Sequence, residues 1–308
     1  MPMFPAFLTT IFFSLSAISG SRCAKAFGGL EANFWRLTIA TVLLTSYAIF
    51  FGHPISGGAG ALFILSGAIG VGVGDMLYFQ ALPRIGSRLS VLLIQCLSVP
   101  FAATVEWLWL GTTLSSKQFI WVGVILAGIL LALFPLHHAH STRREKVAGV
   151  CFGILAAVGN SFGAVLSRKA YGAALEAGFN IDGPTAAFQR IWGGVLVAST
   201  VLVFAKWPAI QSVFKNCKIL FTAEYKSKWR SVWPWVVITS LAGQTFGVTC
   251  FQWALKNNPT GVVLPIIATT PLVAIPFSQV LEKERPSLRS ILGGLIAVGG
   301  VIALLKLK

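Results

Sequence analysis

A chain of 308 residues with 56% hydrophobic and only 11% charged side chains cannot supply the polar surface of a soluble domain, in which about 25% of residues are charged. With a mean hydropathy of +0.79, the solvent over most of its length is lipid. The net charge of +15 and pI near 10.1 would suggest nucleic acid in a soluble protein, but here the basic residues lie mostly in short stretches between apolar runs. There they act as topology signals and as partners of anionic lipid headgroups, so no nucleic-acid partner is expected.

Apolar runs of about 20 residues suit a helix rising about 1.5 Å per residue through a bilayer core. They are centred in 4–24, 33–51, 60–82, 88–110, 117–135, 148–170, 186–205, 233–255, 260–281 and 288–305. The expected fold is an all-α polytopic membrane protein with about ten transmembrane helices. The first run precedes an A-x-A-like site at Ala24-Lys25-Ala26, yet no basic region comes before it and the Lys25 motif recurs internally, so it reads as a helix and not a signal peptide. Between the fifth and sixth runs, Pro135 to Lys146 is polar and carries His137, His138 and His140, whose setting without cysteines or carboxylates makes a metal site there adventitious. The longest loop, Trp207 to Arg230, mixes lysines with Phe214, Ile219, Leu220 and Phe221, as an amphipathic helix on an anionic leaflet or a disordered basic loop would.

The two halves repeat each other. Gly70 and Gly74 recur 173 residues on as Gly243 and Gly247, and Ala81-Leu82 as Ala254-Leu255. Pro100, Leu110, Gly123 and Gly128 recur 171 residues on as Pro271, Leu281, Gly294 and Gly299. Upstream, Lys25 to Gly28 matches Lys169 to Gly172, and Phe34-Trp35-Arg36 matches Phe188-Gln189-Arg190. Residues 1–136 and 147–308 are accordingly read as two five-helix repeats joined by a linker, 137–146. An odd number of crossings sends the second repeat in from the opposite face, so the repeats are inverted, the signature of a membrane transporter. Counting Lys and Arg, with Arg22, Lys25 and Arg36 in the first loop, gives 17 on the side of loops 1-2, 3-4, 5-6, 7-8 and 9-10 against 7 on the other. Taken alone, that bias places both termini outside.

Polar groups inside apolar spans are costly and mark candidate sites. Asp75 and Glu106 are the only acids well inside the expected spans, each a candidate proton or cation partner; the alternatives are that Asp75 neutralises Arg36 or Arg84 and that Glu106 lies near a headgroup region and snorkels. Gln95 and Glu106, three turns apart, bound one stripe with Val99, Ala102 and Ala103. Gln244 and Gln252, two turns apart, fall on nearly one side, and Asn160 matches Ser16 of the first repeat. These six, Asp75, Gln95, Glu106, Asn160, Gln244 and Gln252, are the candidate cavity residues, with interhelical hydrogen bonding as the alternative role of the amides. Trp107 and Trp253 suit either an aromatic wall or interface anchoring. Pro100 and Pro271 interrupt helices at matching positions, as kinks or hinges. The five cysteines are scattered and read as packing residues. No G-x-S-x-G, P-loop or H-E-x-x-H motif is present, and no cofactor is expected.

The order Gly-x-x-x-Gly, Ala-Leu, Pro, Glu-x-Pro-Ser, Gly-Gly, Gly-Gly across Gly243 to Gly300, with its weaker copy in Gly70 to Gly128, resembles the EamA repeat of the drug/metabolite transporter superfamily. The resemblance covers essentially the whole chain. It implies ten helices in two inverted repeats, a central substrate cavity, movement of small organic metabolites, often outward, and cytoplasmic termini, against the charge count. It also implies a helix-end acid in a Leu-Gly-Glu pattern, carried by Glu284, whereas in the first half Leu110-Gly111 is followed by Thr112.

The expected function is secondary transport of a small amino acid, nucleoside or drug-like metabolite across the cell (inner) membrane by alternating access, efflux in preference to uptake. Asp75 or Glu106 would carry the coupling ion. A membrane-embedded enzyme acting on a lipid-linked substrate is the alternative, but the acids are isolated from any histidine; a non-transporting scaffold is a third reading. Homo-oligomerisation stays open, because G-x-x-x-G serves contacts within and between chains.

Overall fold

The structure, a computed structural model, describes residues 3–51, 59–111, 115–133, 142–207, 223–282 and 288–307. His137, His138, His140, Cys217, Thr112, Glu284 and most of the basic stretch after Trp207 lie outside the described residues.

The described residues form ten helices. In chain order they are α1 (Phe4–Phe27), α2 (Gly29–Phe51), α3 (Ala59–Ser87), α4 (Ser90–Leu110), α5 (Ser116–Leu133), α6 (Arg143–Glu176) and α7 (Gly183–Ala205). The eighth, α8, comprises Ala223–Thr239, Ser240–Gly247 and Val248–Asn257; α9 comprises Thr260–Ile267 and Thr270–Glu282; α10 is Leu288–Lys306. Seven of them, α1 to α4, α6, α7 and α9, are long and apolar enough to cross a bilayer. Their outward faces carry exposed Ile49, Phe50, Leu108, Leu196 and Phe204, a surface suited only to lipid. Trp107 and Trp253 are likewise more than half exposed, on the outside of the bundle.

The first loop assumed in the charge count does not exist. Gly28, at φ 82°, turns the chain sharply between α1 and α2, a conformation open to glycine and costly for side chains with a Cβ. Arg22 and Lys25 therefore belong to α1 and Arg36 lies inside α2; Arg168, Lys169 and Arg190 are also helical. Setting these six aside, with the basic residues near the other helix ends kept in the count, turns 17 against 7 into 14 against 4, which keeps the sense of the bias.

Two departures from regular helix occur at matched places. Ala68–Gly74 in α3 and Ser240–Gly247 in α8 are π-helical, and these segments coincide under the offset of 173 that relates Gly70 and Gly74 to Gly243 and Gly247. Such wide turns are rare and concentrate at functional sites. Pro100 lies within α4, as expected, but Pro271 is the second residue after a break in α9 at Ala268–Thr269. Proline has no N–H to donate and its ring clashes with the preceding turn, so the helix restarts there. Thr269 Oγ1 and Thr270 Oγ1 donate to Ile266 O and Ile267 O at 2.6 and 2.5 Å, satisfying carbonyls freed by the break.

Packing between the repeats is reciprocal, as an approximate two-fold axis demands. The α3 π segment packs on α6 and α7, and the α8 π segment on α1 and α2. Helices α2 and α7 run antiparallel. Glu31 at the start of α2 pairs with Lys206 at the end of α7, and Tyr47 near the end of α2 donates to the α7 cap Asp182 at 2.9 Å. Helices α5 and α10 also cross antiparallel: a Cβ on Gly128 would lie 2.7 Å from Ala297 N, and one on Gly300 2.8 Å from Ile125 Cγ1. Equivalent helices running in opposite directions are what inverted repeats require.

Candidate functional site

Several of the polar groups buried among these helices, Arg36, Gln95, Arg190 and Gln244 among them, converge on one cavity between the repeats. Its room for the centres of water molecules is about 80 Å³, where one water needs roughly 10–15 Å³. Helices α1 to α4 and their counterparts α6 to α9 all line it, while α5 and α10 do not.

Asp75 is its hub. It is the first residue beyond the α3 π segment, and its side chain is 25% exposed. Asp75 Oδ2 accepts from Arg36 Nη2 at 2.7 Å and from Gln244 Nε2 at 2.5 Å, so one oxygen ties α2, α3 and α8 together. Arg36 Nη2 also donates to Asn33 Oδ1 at 2.9 Å, and the guanidinium lies 4.5 Å from the centre of the Phe79 ring. On the α6 side, Asn160 Nδ2 donates to Ser98 Oγ at 3.2 Å. Gln95 also lines the cavity, with Phe13, Tyr78 and Phe251 as its aromatic walls.

The structure thus gathers Asp75, Gln95, Asn160 and Gln244 around one space and leaves Glu106 and Gln252 out of its lining. Glu106, 3% exposed near the end of α4, is ion-paired with Arg168 of α6, and Thr260 N at the start of α9 approaches it at 3.5 Å. Arg168 is eight residues beyond Asn160, about 12 Å along the helix axis. Gln252 is fully buried, and among the described residues neither of its side-chain polar atoms has a hydrogen-bond partner.

Two arginines outside the candidate set join the site, one of them Arg36, which the charge count places in the first loop. Arg36 and Arg190, repeat counterparts, are 3% and 2% exposed and both line the cavity. They occupy two-fold related seats. A Cβ on Gly243 would lie 3.3 Å from Arg36 Nη1, and one on Gly70 would lie 3.0 Å from Arg190 Nη2. Each arginine thus reaches over a glycine in the π segment of the other repeat. The available signal was an arginine repeated within apolar sequence, Phe-Trp-Arg and Phe-Gln-Arg, at the same distance into each second helix.

A duplicated five-helix bundle with a polar cavity at its two-fold interface is matched at the sequence level as well. The profile of the EamA-like transporter family covers residues 1–134 and again 147–306. The chain belongs to the EamA-like transporter family. As an EamA-like protein it is a multi-pass integral membrane protein of a transporter family, not an enzyme. A solved crystal structure, described only as "Crystal structure of protein", is similar to this EamA-like chain in fold, with a TM-score of 0.67 at 18% identity over 99% of this chain and 96% of that one. No curated protein matches the sequence.

Proposed function

We propose that this EamA-like protein is a secondary transporter that carries a small organic metabolite through the cavity between its repeats by alternating access, and that it works outward. The observation supporting this reading is the cavity itself: four helices from each repeat line it, and it holds a titratable carboxylate already shared between helices of both repeats. A rocking motion of one repeat against the other would alternate its exposure without altering either half. The outward direction follows the family resemblance.

Within this reading Asp75 is the coupling residue. Its carboxylate faces the cavity and is held by Arg36 and Gln244, so protonation would release α2 and α8 from α3 at the same moment. Glu106 has a different part, bracing α4 to α6 and α9 through Arg168 and Thr260. The test is flux in proteoliposomes under a pH gradient, screening amino acids, nucleosides and cationic drugs. Wild type should show gradient-dependent flux of at least one compound, which Asp75→Asn abolishes and Glu106→Gln keeps. Flux indifferent to both the gradient and Asp75→Asn would reduce the Asp75–Arg36 pair to a structural contact.

A further inference from the structure

We propose that the cavity is an anion receptor built on Arg190 and that the transported metabolite carries a carboxylate or another oxyanion, a proposal that rests on the transport reading above. Arg190 is 2% exposed and lines the cavity, yet its guanidinium makes no hydrogen bond or ion pair among the described residues. Nε and Nη1 are both buried without partners. A guanidinium has five N–H donors and cannot be deprotonated, so burial without an acceptor is among the most costly arrangements a side chain can adopt. Buried polar groups left without partners call for a bound water, ion or ligand.

The duplication indicates what is missing. The seat of Arg36 over Gly243 contains an acid, Asp75; at the corresponding position in the second repeat, 173 residues on, stands Val248, which also lines the cavity. One arginine seat is therefore filled by the protein and its two-fold mate is left for something else. Asp75 and Tyr171 are near enough to act on Arg190 electrostatically but neither bonds to it, and Asp75 is already engaged by Arg36 and Gln244. The cavity lining holds two arginines against one aspartate, a net charge of +1, and a substrate anion makes it neutral. The planar fork of a guanidinium matches the two oxygens of a carboxylate, and the walls of Phe13, Val71, Ile94 and Phe251 suit a compact apolar body behind that anion.

The experiment measures binding, so that it fails or succeeds independently of transport. Full-length protein in nanodiscs is titrated calorimetrically with benzoate, benzamide and benzylamine, which share a ring and differ in charge, and with acetate, sulfate and inorganic phosphate. Benzoate should bind at least tenfold more tightly than benzamide, with no detectable benzylamine binding. Arg190→Gln should erase that preference, and Arg190→Lys should keep part of it, because the charge survives and the fork is lost. Val248→Asp guards against a misfolded Arg190 variant: it copies the Asp75 arrangement, so it should raise the melting temperature and abolish benzoate binding. Equal binding of benzoate and benzamide, an anion preference that survives Arg190→Gln or Val248→Asp, or no binding by any of the oxyanions would each overturn the proposal. Flux of a neutral or cationic compound that depends on Asp75 would leave the transporter reading intact and sink this one.

Discussion

Gly193→Ala tests the seam that seats Arg190. Gly193 of α7 faces α3 so closely that a Cβ there would lie 1.9 Å from Ile64 O and 2.6 Å from Ala68 N. The reciprocal contact is as tight, since a Cβ on Gly67 would lie 1.8 Å from Arg190 O. Cβ atoms essentially never come within 3.0 Å of such an atom, so the two backbones must part by at least 1.1 Å (3.0 less 1.9). Both partners are main-chain atoms, and no rotamer can relieve the clash. Overpacking of a well-filled interior costs about 1–3 kcal/mol, and a backbone-to-backbone clash belongs at the upper end. With an unfolding entropy of about 2.1 cal/mol/K per residue, a chain of 308 residues shifts by roughly 1.5 °C per kcal/mol, so the expected loss is roughly 3–5 °C in melting temperature. Thermal unfolding of the detergent-solubilised protein, followed by loss of monodisperse protein on a sizing column, measures it. Gly123→Ala and Gly172→Ala are the controls, because a Cβ at either meets nothing within 4 Å. Those helices should hold or gain stability, by up to about 1 kcal/mol from propensity alone. A Gly193→Ala protein that melts with wild type would refute the packing of α3 on α7, and with it the placement of Arg190 over Gly70.

Other consequences follow from single contacts. Gln252→Met should stabilise the protein by about 1–3 kcal/mol, since it removes a fully buried amide that has no hydrogen-bond partner among the described residues, and should leave flux unchanged; a loss of flux would return Gln252 to the transport path. Glu106→Gln should lower the melting temperature by the equivalent of about 1–3 kcal/mol, because Arg168 is 23% exposed and solvent shares the lost charge. Glu31→Gln should cost under about 1 kcal/mol, as its partner Lys206 is 43% exposed; a larger loss in a denaturation series would mean that the pair does more than pin α2 to α7. The bias of 14 against 4 basic residues predicts that Arg144 faces the cytoplasm and Glu176 the opposite side, contrary to the termini the family resemblance implies. Membrane-impermeant labelling of Arg144→Cys and Glu176→Cys in right-side-out vesicles, on a background without native cysteines, distinguishes the two; labelling of the Arg144 position from outside would contradict the charge rule.

Most of the scaffold was legible because lipid leaves long apolar runs and duplication leaves matched glycines. Asp75, Asn160 and Gln244 were legible for the same reason, being polar interruptions of those runs. What escaped was geometry without a compositional trace. A π turn changes hydrogen bonding from i→i+4 to i→i+5, and the helical arithmetic that set Gln244 and Gln252 on one side assumes 3.6 residues per turn through Ser240–Gly247, where that period fails. Gln95 and Glu106 do share a stripe, but eleven residues separate them by about 16 Å along the axis, which carries Glu106 beyond the cavity. Arg36 was misplaced because a one-residue turn at Gly28 was read as a loop of several residues. Nothing in the sequence around Glu31 and Asn33 marks their partners, Lys206 and Arg36, which come only with the folded chain.

The central claim is that one cavity opens to each side of the membrane in turn. Asn160, which lines it midway along α6, can be replaced by cysteine on a background without the native thiols and exposed to a membrane-impermeant maleimide from one face at a time, in oriented vesicles. Alternating access predicts labelling from both faces, with saturation from one side removing the sites available to the other. Labelling from a single face only, or from neither, would contradict it.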